Sequence, residues 1–466
     1  MRSKPAFRKD AVDVSQFELM PASLDEMVPA DDPCRLVFAL VDLLDLTHLT
    51  QDAKLLGACS YHPATMLKLL MFAGWDNERS SRKVAKRCRT DVRYKWLCRG
   101  LTPDHTTIWR FRHRLGEELD QLLAQCVRLG FKAGLGGLAR ATIDGTKLPA
   151  AASQWRKCRE EAEEEDKELA AELEAASAKP PKKKREALPS KDPDARTMKT
   201  RQGRFVTGYN LQFLTDCDTG LVLATHFTNV ASDAGLLEPT LAKCLELHQD
   251  LPSELLADAG YDTPANAHAL HECGVEAWVS CKEATPFWSL DDSGGLVCPM
   301  GHPADRVERF NRGDIPVVRL VVDECPSCPR RAKCLKNEGS KSKSVSFDAK
   351  ADPARWVAQR LKARSEDGKA ELKKRGQTAE LSFANLKQRL EFRRLSHWGL
   401  ESCGIEAGIY ALALNLWTLA SRLGQDGIRA LLSLFHLLCT AFMAPFEASG
   451  RHGGHSRALN CRYPQC

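Results

Sequence analysis

Apolar positions recur with helical spacing over 36–46 and 64–72, and residues 1–135 are predicted to be mostly helical. Between these stretches, 77–89 is basic, with Arg79, Arg82, Lys83, Lys86, Arg87 and Arg89 within a few turns. LTPDHTTIWRFRHRL follows: Thr102 or Asp104 can cap a helix, Pro103 suits an early position, and Arg110, Arg112 and Arg114 give it a cationic side. The pattern changes at Leu138. ARATIDGTKL predicts a short strand ending in an acidic turn, and 204–216 and 220–228 predict two strands joined by DCDTG. A helix over 234–248, a strand-to-turn element over 253–262, a helix over 264–273 and a strand over 276–281 complete an α/β unit on one mixed sheet.

Two segments interrupt that unit. Residues 154–178 are Glu- and Ala-rich and predict an exposed helix, with a Lys- and Pro-rich linker over 179–196; together they form a charged insertion at 150–200. The second interruption, 282–352, is rich in Gly, Pro, Cys and basic residues. After it, 353–391 is polar and helical, and apolar stretches at 408–420 and 430–445 close the fold. Asn415, Ser433 and His436 break those stretches, which fall short of the roughly 20 residues of a membrane span, so buried core helices are expected and a membrane anchor is the alternative. The expected organisation is a helical domain over 1–135, an α/β core over 136–281, a cysteine-containing insertion over 282–352, a helical second part of the core over 353–447 and a disordered tail over 448–466.

Length and composition change this picture little. A chain of 466 residues has room for two or three domains, and 43% hydrophobic and 27% charged residues are ordinary for a soluble protein. A net charge of +6 permits a nucleic-acid partner without demanding one. The N-terminus has no apolar region behind its basic residues, so no secretory signal is expected. With 18 cysteines and no export signal, a disulfide framework is not expected, and most thiols are assigned to the core.

Three acids stand out by placement. Asp144 follows a predicted strand in TIDGTKL, Asp258 does the same in LLADAGYD, and Glu380 lies on a predicted helix in RGQTAELSFANLKQRLEF. Carboxylates converging at a sheet edge repel one another unless cations neutralise them, and hard divalent ions such as Mg²⁺ prefer such oxygens. Lys387, seven residues after Glu380, projects from nearly the same helix face, and Arg375 lies just upstream. Either can hold a phosphate or serve as a surface ion-pair partner. Cys298, Cys325, Cys328 and Cys334 form a separate group in CPMGH and CPSCPRRAKC, with His302 as a substitute ligand; structural Zn²⁺, an iron–sulfur cluster and free thiols are all open. Tyr261, Asp262 and Asn266 either shape the site or cap the next helix, Asp262 being the expected cap. Tyr209, Asn210 and Gln212 support the sheet, and Phe287 and Trp288 either pack inside the insertion or stack on a displaced base.

In their order along the chain, MPASLDEMVPADDP, SYHPATMLKLLMFAGW, RSSRKVAKRC, LTPDHTTIWRFRHRL, TIDGTKL, DPDARTM, GYNLQ, TNVASDAGLL, LADAGYDTPAN and RGQTAELSFANLKQRLEFRR resemble the bacterial insertion-sequence transposases of the DDE type. The resemblance runs from about Phe17 to about Leu419. It implies an RNase H-like catalytic domain behind a helical DNA-binding region, with Asp144, Asp258 and Glu380 as metal-binding acids served by Mg²⁺ or Mn²⁺. It also implies cleavage at element ends, strand transfer into target DNA, a homodimer or higher multimer on DNA, and a cytoplasmic, nucleoid-associated protein with no membrane partner. Arg82, Lys83, Lys86, Arg110, Arg112, Arg114, Arg375 and Lys387 are the candidate DNA contacts. The chain departs from the family's helical signature at Leu372, where a tyrosine is usual, at Arg375, displaced by one residue, and at Ala384, where glycine is frequent. A nuclease without strand transfer and a non-catalytic DNA-binding descendant are the alternatives.

Overall fold

The computed structural model describes residues 23–50, 61–151, 192–200, 203–281, 288–312, 315–335, 339–349 and 352–443. The N-terminal helices are α1 (Leu24–Met27), α2 (Pro33–Asp42), α3 (Thr47–Thr50), α4 (Pro63–Trp75), α5 (Ser81–Thr90), α6 (Val92–Leu97), α7 (His105–Leu115) and α8 (Leu119–Lys132). Polar caps set their starts: Ser23 forms a capping box with Glu26, Asp32 and His62 precede N-terminal prolines, and Asp104 accepts the amides of Thr106 and Thr107. α4 is buried from Met66 to Gly74 and lies at the centre of this region.

The sheet follows from five strands, β1 (Arg140–Pro149), β3 (Phe205–Asp216), β4 (Val222–Thr228), β5 (Glu254–Ala257) and β6 (Glu276–Val279), in the order β4–β3–β1–β5–β6. β1, β3 and β4 run antiparallel as neighbours, while β1–β5 and β5–β6 are parallel. The parallel connections run through α9 (Leu237–His248) and α10 (Pro264–Glu272). This is the mixed sheet of an α/β unit that was expected. A further strand, β2 (Arg196–Lys199), pairs with β3 where the sequence suggested linker. Gly208 of β3 pairs with Pro149 on one side and Arg196 on the other, and a Cβ there would lie 2.0 Å from the Leu148 carbonyl oxygen. The exposed helix expected over 154–178 and the tail at 448–466 lie outside the described residues.

The second interruption carries strands that its composition gave no sign of. Hairpin β7 (Ser289–Leu290) and β8 (Leu296–Val297) precedes a three-stranded sheet of β9 (Arg306–Arg312), β10 (Ile315–Val322) and β11 (Lys343–Asp348). The β-branched run in IPVVRLVV supplies the central strand of that sheet. A small helix, α11 (Arg331–Cys334), lies between β10 and β11. Trp288, Cys298 and Val322 form a small core with Ala267 of α10 and with Trp356 and Val357 of α12 (Pro353–Arg364). Trp288 is therefore packed, and Phe287 lies outside the described residues.

Ser365, in extended conformation, ends α12 and caps α13 (Glu366–Gln388), so the predicted helical stretch is two helices. The last element, α14 (Leu400–Met443), is broken at Gly424, where φ is 62°. Its segment Leu400–Ser433 is long and apolar enough to cross a membrane, yet 78% of its most apolar window is buried inside the protein. α14 packs on α2, α4, α8 and β4, and joins the N-terminal helices and the sheet into one continuous core. Asn415 has a buried partner there: its amide accepts from the Val222 N–H and donates to the Val222 carbonyl, both at 2.8 Å.

Candidate active site

The end of one ladder positions the two aspartates. β1 and β5 pair in parallel up to Ile143 and Ala257. Asp144 and Asp258 are the next residue on each strand, so the two carboxyl-bearing residues stand side by side where the pairing stops. β1 itself does not end there. It continues along β3 as far as Pro149, so Asp144 lies within a strand rather than after one.

Strand alternation puts Asp144 and Thr146 on the face covered by α13. Phe213, paired with Asp144, stacks on Phe383 of α13 at 4.7 Å between centroids. Lys387 donates from Nζ to Thr146 Oγ1 at 2.6 Å. Arg375, whose side chain is 14% exposed, places Nη2 3.3 Å from Asp144 Oδ1 and 3.8 Å from Asp258 Oδ2. Burial pushes the Asp144 carboxyl above its ordinary pKa, helped by Asp258 and Asp233 and opposed by Arg375 and the Gly145 N–H. Burial likewise lowers the Lys387 ammonium, against the pull of Asp144. Glu380 is exposed on α13, five residues beyond Arg375.

The opposite face of the same strands carries a polar network. Asp233 Oδ1 accepts from Lys147 Nζ at 2.8 Å, from Asn210 Nδ2 at 2.9 Å and from Gln212 Nε2 at 2.8 Å. Tyr261, buried, donates to Gln212 Oε1. Gly145 pairs with Gln212, and a Cβ on it would lie 2.2 Å from Gln212 Nε2. Asp258 Oδ1 accepts the Gly260 N–H at 2.7 Å, fixing the turn after β5. Sequence reasoning missed Lys147 and Asp233, although Asp233 lies in TNVASDAGLL; only the tertiary fold reveals that it gathers three donors.

Other predicted residues fall elsewhere. Thr263, not Asp262, caps α10; Asp262 accepts from Trp356 Nε1 at 2.7 Å and pairs with Arg360 at 3.0 Å. Arg82, Lys83 and Lys86 on α5 and Arg110 on α7 are exposed. Arg112 is buried instead: alternate residues of a helix point nearly opposite ways, and its guanidinium bonds to the Arg79 carbonyl at 3.2 Å and to His397 at 3.4 Å. Arg112 is thus unavailable to DNA. Arg114 donates to the Leu49 carbonyl at 2.6 Å.

Burial raises the Cys325 thiol, and Cys298, Cys328 and Cys334 lie close enough to add to that rise. His302 pairs with Glu324 at 2.5 Å. Among the described residues no three acids, thiols or imidazoles are gathered as metal ligands, so the four cysteines form a loose group around Cys325.

A carboxylate pair at the end of a parallel ladder, covered by a helix that brings Arg375 and Lys387 to it, is a site for charge-dominated chemistry in an α/β protein. Two family profiles match the chain: "Transposase domain (DUF772)" over residues 22–114 and "Transposase DDE domain" over 297–420. Both matches are to transposase domains, and they support the reading of the chain as a DDE transposase. The second match includes the cysteine-bearing insertion and Glu380, and neither reaches Asp144 or Asp258. No curated protein matches the chain. Among solved structures, a piggyBac transposase synaptic complex with hairpin DNA is similar at 11% identity and a TM-score of 0.32, covering 89% of this chain and 79% of that one.

Proposed function

We propose that this transposase binds the DNA ends of a mobile element, cleaves them and transfers the freed strands into target DNA. The observation that carries the reading is the pairing of Asp144 with Asp258 around the guanidinium of Arg375. A half-buried carboxylate beside a second one is a costly arrangement without a cation, and the Arg375 guanidinium already stands between them. The donor set, hard oxygens from two rigid strands, suits Mg²⁺ or Mn²⁺. Asp144 and Asp258 would hold such an ion, with Glu380 of α13 completing the set. Bound there, divalent ions would activate a water or a 3′-hydroxyl and stabilise the leaving oxygen of a phosphodiester.

The chain's own groups then have separate tasks. β1 and β5 fix the carboxylates by their ladder, and Gly260 orients Asp258. Lys387, held at Thr146, supplies positive charge beside the reacting phosphate. Arg82, Lys83, Lys86 and Arg110 offer phosphate contacts at a distance from the chemistry. Two element ends must be cut in concert, which favours a multimer on DNA.

The deciding experiment is a cleavage and strand-transfer assay on DNA carrying the native element ends, with Mg²⁺ or Mn²⁺. Wild type should give cleaved and joined products. Asp144→Ala, Asp258→Ala and Glu380→Ala should each lose both while retaining DNA binding. Cleavage without joining would make the protein a nuclease, and full activity in any of the three variants would remove that residue from the site.

A further inference from the structure

We propose that Arg375 is an internal counter-ion that holds Asp144 and Asp258 together in the metal-free protein and must withdraw before a divalent ion can bind. This rests on the reading of the two aspartates as metal ligands. The geometry is specific. The guanidinium reaches Oδ1 of one carboxylate at 3.3 Å and Oδ2 of the other at 3.8 Å, with only 14% of its side chain exposed. Ligand oxygens approach Mg²⁺ at about 2.1 Å, so the ion and the guanidinium compete for the same space and the same negative charge.

Three observations make the hold releasable. Both contacts are longer than the roughly 2.7–2.9 Å of a strong charged hydrogen bond. Arg375 Nε is buried and donates to no partner, so its burial is incompletely compensated. Asp258 is 41% exposed, which leaves an approach for a hydrated ion from solvent. Lys387 is not an equivalent stand-in, because its ammonium is committed to Thr146.

The position on the helix explains why this arginine plays the part. Arg375 and Glu380 are five residues apart and so about 140° apart around α13. An arginine at position 376 would instead lie within about 40° of Glu380. The one-residue displacement in the sequence therefore separates Arg375 from Glu380 around the helix, while Lys387, about 20° from Glu380, also reaches the sheet at Thr146. Arg375 is here a positioning residue, acting on the carboxylates rather than on substrate.

The test is Mn²⁺ binding to the full chain without DNA, followed by electron paramagnetic resonance of free Mn²⁺, with unfolding temperatures in EDTA and in Mn²⁺. Arg375→Gln should bind Mn²⁺ more tightly, on the order of tenfold. It should also unfold at a lower temperature in EDTA and gain more from Mn²⁺ than wild type does. Should that variant fail to fold, Arg375→Lys keeps the charge on a shorter reach and should show a smaller tightening in the same direction. Unchanged or weaker Mn²⁺ binding in the folded variants would overturn the proposal. Asp144→Asn and Asp258→Asn separate the two ideas. If they abolish Mn²⁺ binding while Arg375→Gln leaves it unchanged, only the counter-ion role fails; if they too leave binding intact, the metal-site reading fails and the proposal falls with it.

Discussion

Gly145 shows how one residue connects the two faces of the site. Its neighbour Asp144 faces α13, while Gln212 passes over the glycine on the other face to reach Asp233 and Tyr261. A methyl at this position displaces Gln212 and breaks both bonds. Gly145→Ala is expected to cost about 1–3 kcal/mol, the range of an overpacked core, read as a lower midpoint in thermal or urea unfolding. Gly137→Ala, with nothing within 4 Å of its Cβ, is the control. The motif TIDGTKL was legible in the sequence, and so was the candidacy of Asp144. The reason for its glycine was not, because Gln212 is distant in sequence and becomes a neighbour only through strand register.

At the scale of elements, the charge on a helix divides by bearing rather than by composition. Arg110 and Arg112 were read as one cationic side, but the first is exposed and the second buried. Their variants should separate accordingly. Replacing Lys83 and Lys86 of α5 by alanine should weaken DNA binding across sequences and reduce the slope of log K against log salt by about 2. Arg112→Ala should instead lower the unfolding temperature, by removing the link from α7 to His397.

That link continues to α14. Glu406, 2% exposed, accepts from Ser396 N–H at 2.9 Å, Ser396 Oγ at 2.5 Å and His397 Nδ1 at 3.1 Å. Burial pushes its carboxyl up, but the bonds from His397 and Ser396 outweigh that and leave it below the ordinary value. A folded pKa below the unfolded one means stability that is present above the unfolded value, about 4.3, and lost as pH falls through the folded one. Glu406→Gln should cost about 1–3 kcal/mol at pH 7, and its deficit in unfolding free energy should shrink as pH drops below about 4. Periodicity made the helices and most core strands legible. It gave no sign of the break at Ser365, which is a change of backbone conformation at one capping residue, nor of β9–β11, where charged residues fall within the strands themselves.

Over the whole molecule, the N-terminal helices and the sheet do not have separate interiors. α14 supplies one wall to each, and Asn415 matches its amide to the backbone of Val222 in β4. The asparagine that seemed to interrupt an apolar stretch is what fixes that stretch against a strand. Asn415→Leu leaves a buried N–H and carbonyl unpaired and should cost about 1–3 kcal/mol for each, measurable as a fall in the denaturant midpoint without a change of slope. Fold class was legible because the N-terminal helices and the main core strands each carried their own period. The shared core was not, since burial of α14 by two different regions leaves no local trace.

The pairing of Gly208 with both Pro149 and Arg196 has a practical outcome. β1 and β2 lie on either side of one strand, so Pro149 and Arg196 are only about 10 Å apart. The chain's exit after β1 is anchored by Arg394, which donates to the Ala150 and Ala151 carbonyls, and its return before β2 by Tyr209, which donates to Asp192. The same junction is therefore a natural grafting point, where a fluorescent or affinity module would enter five or more residues along the chain from Asp144.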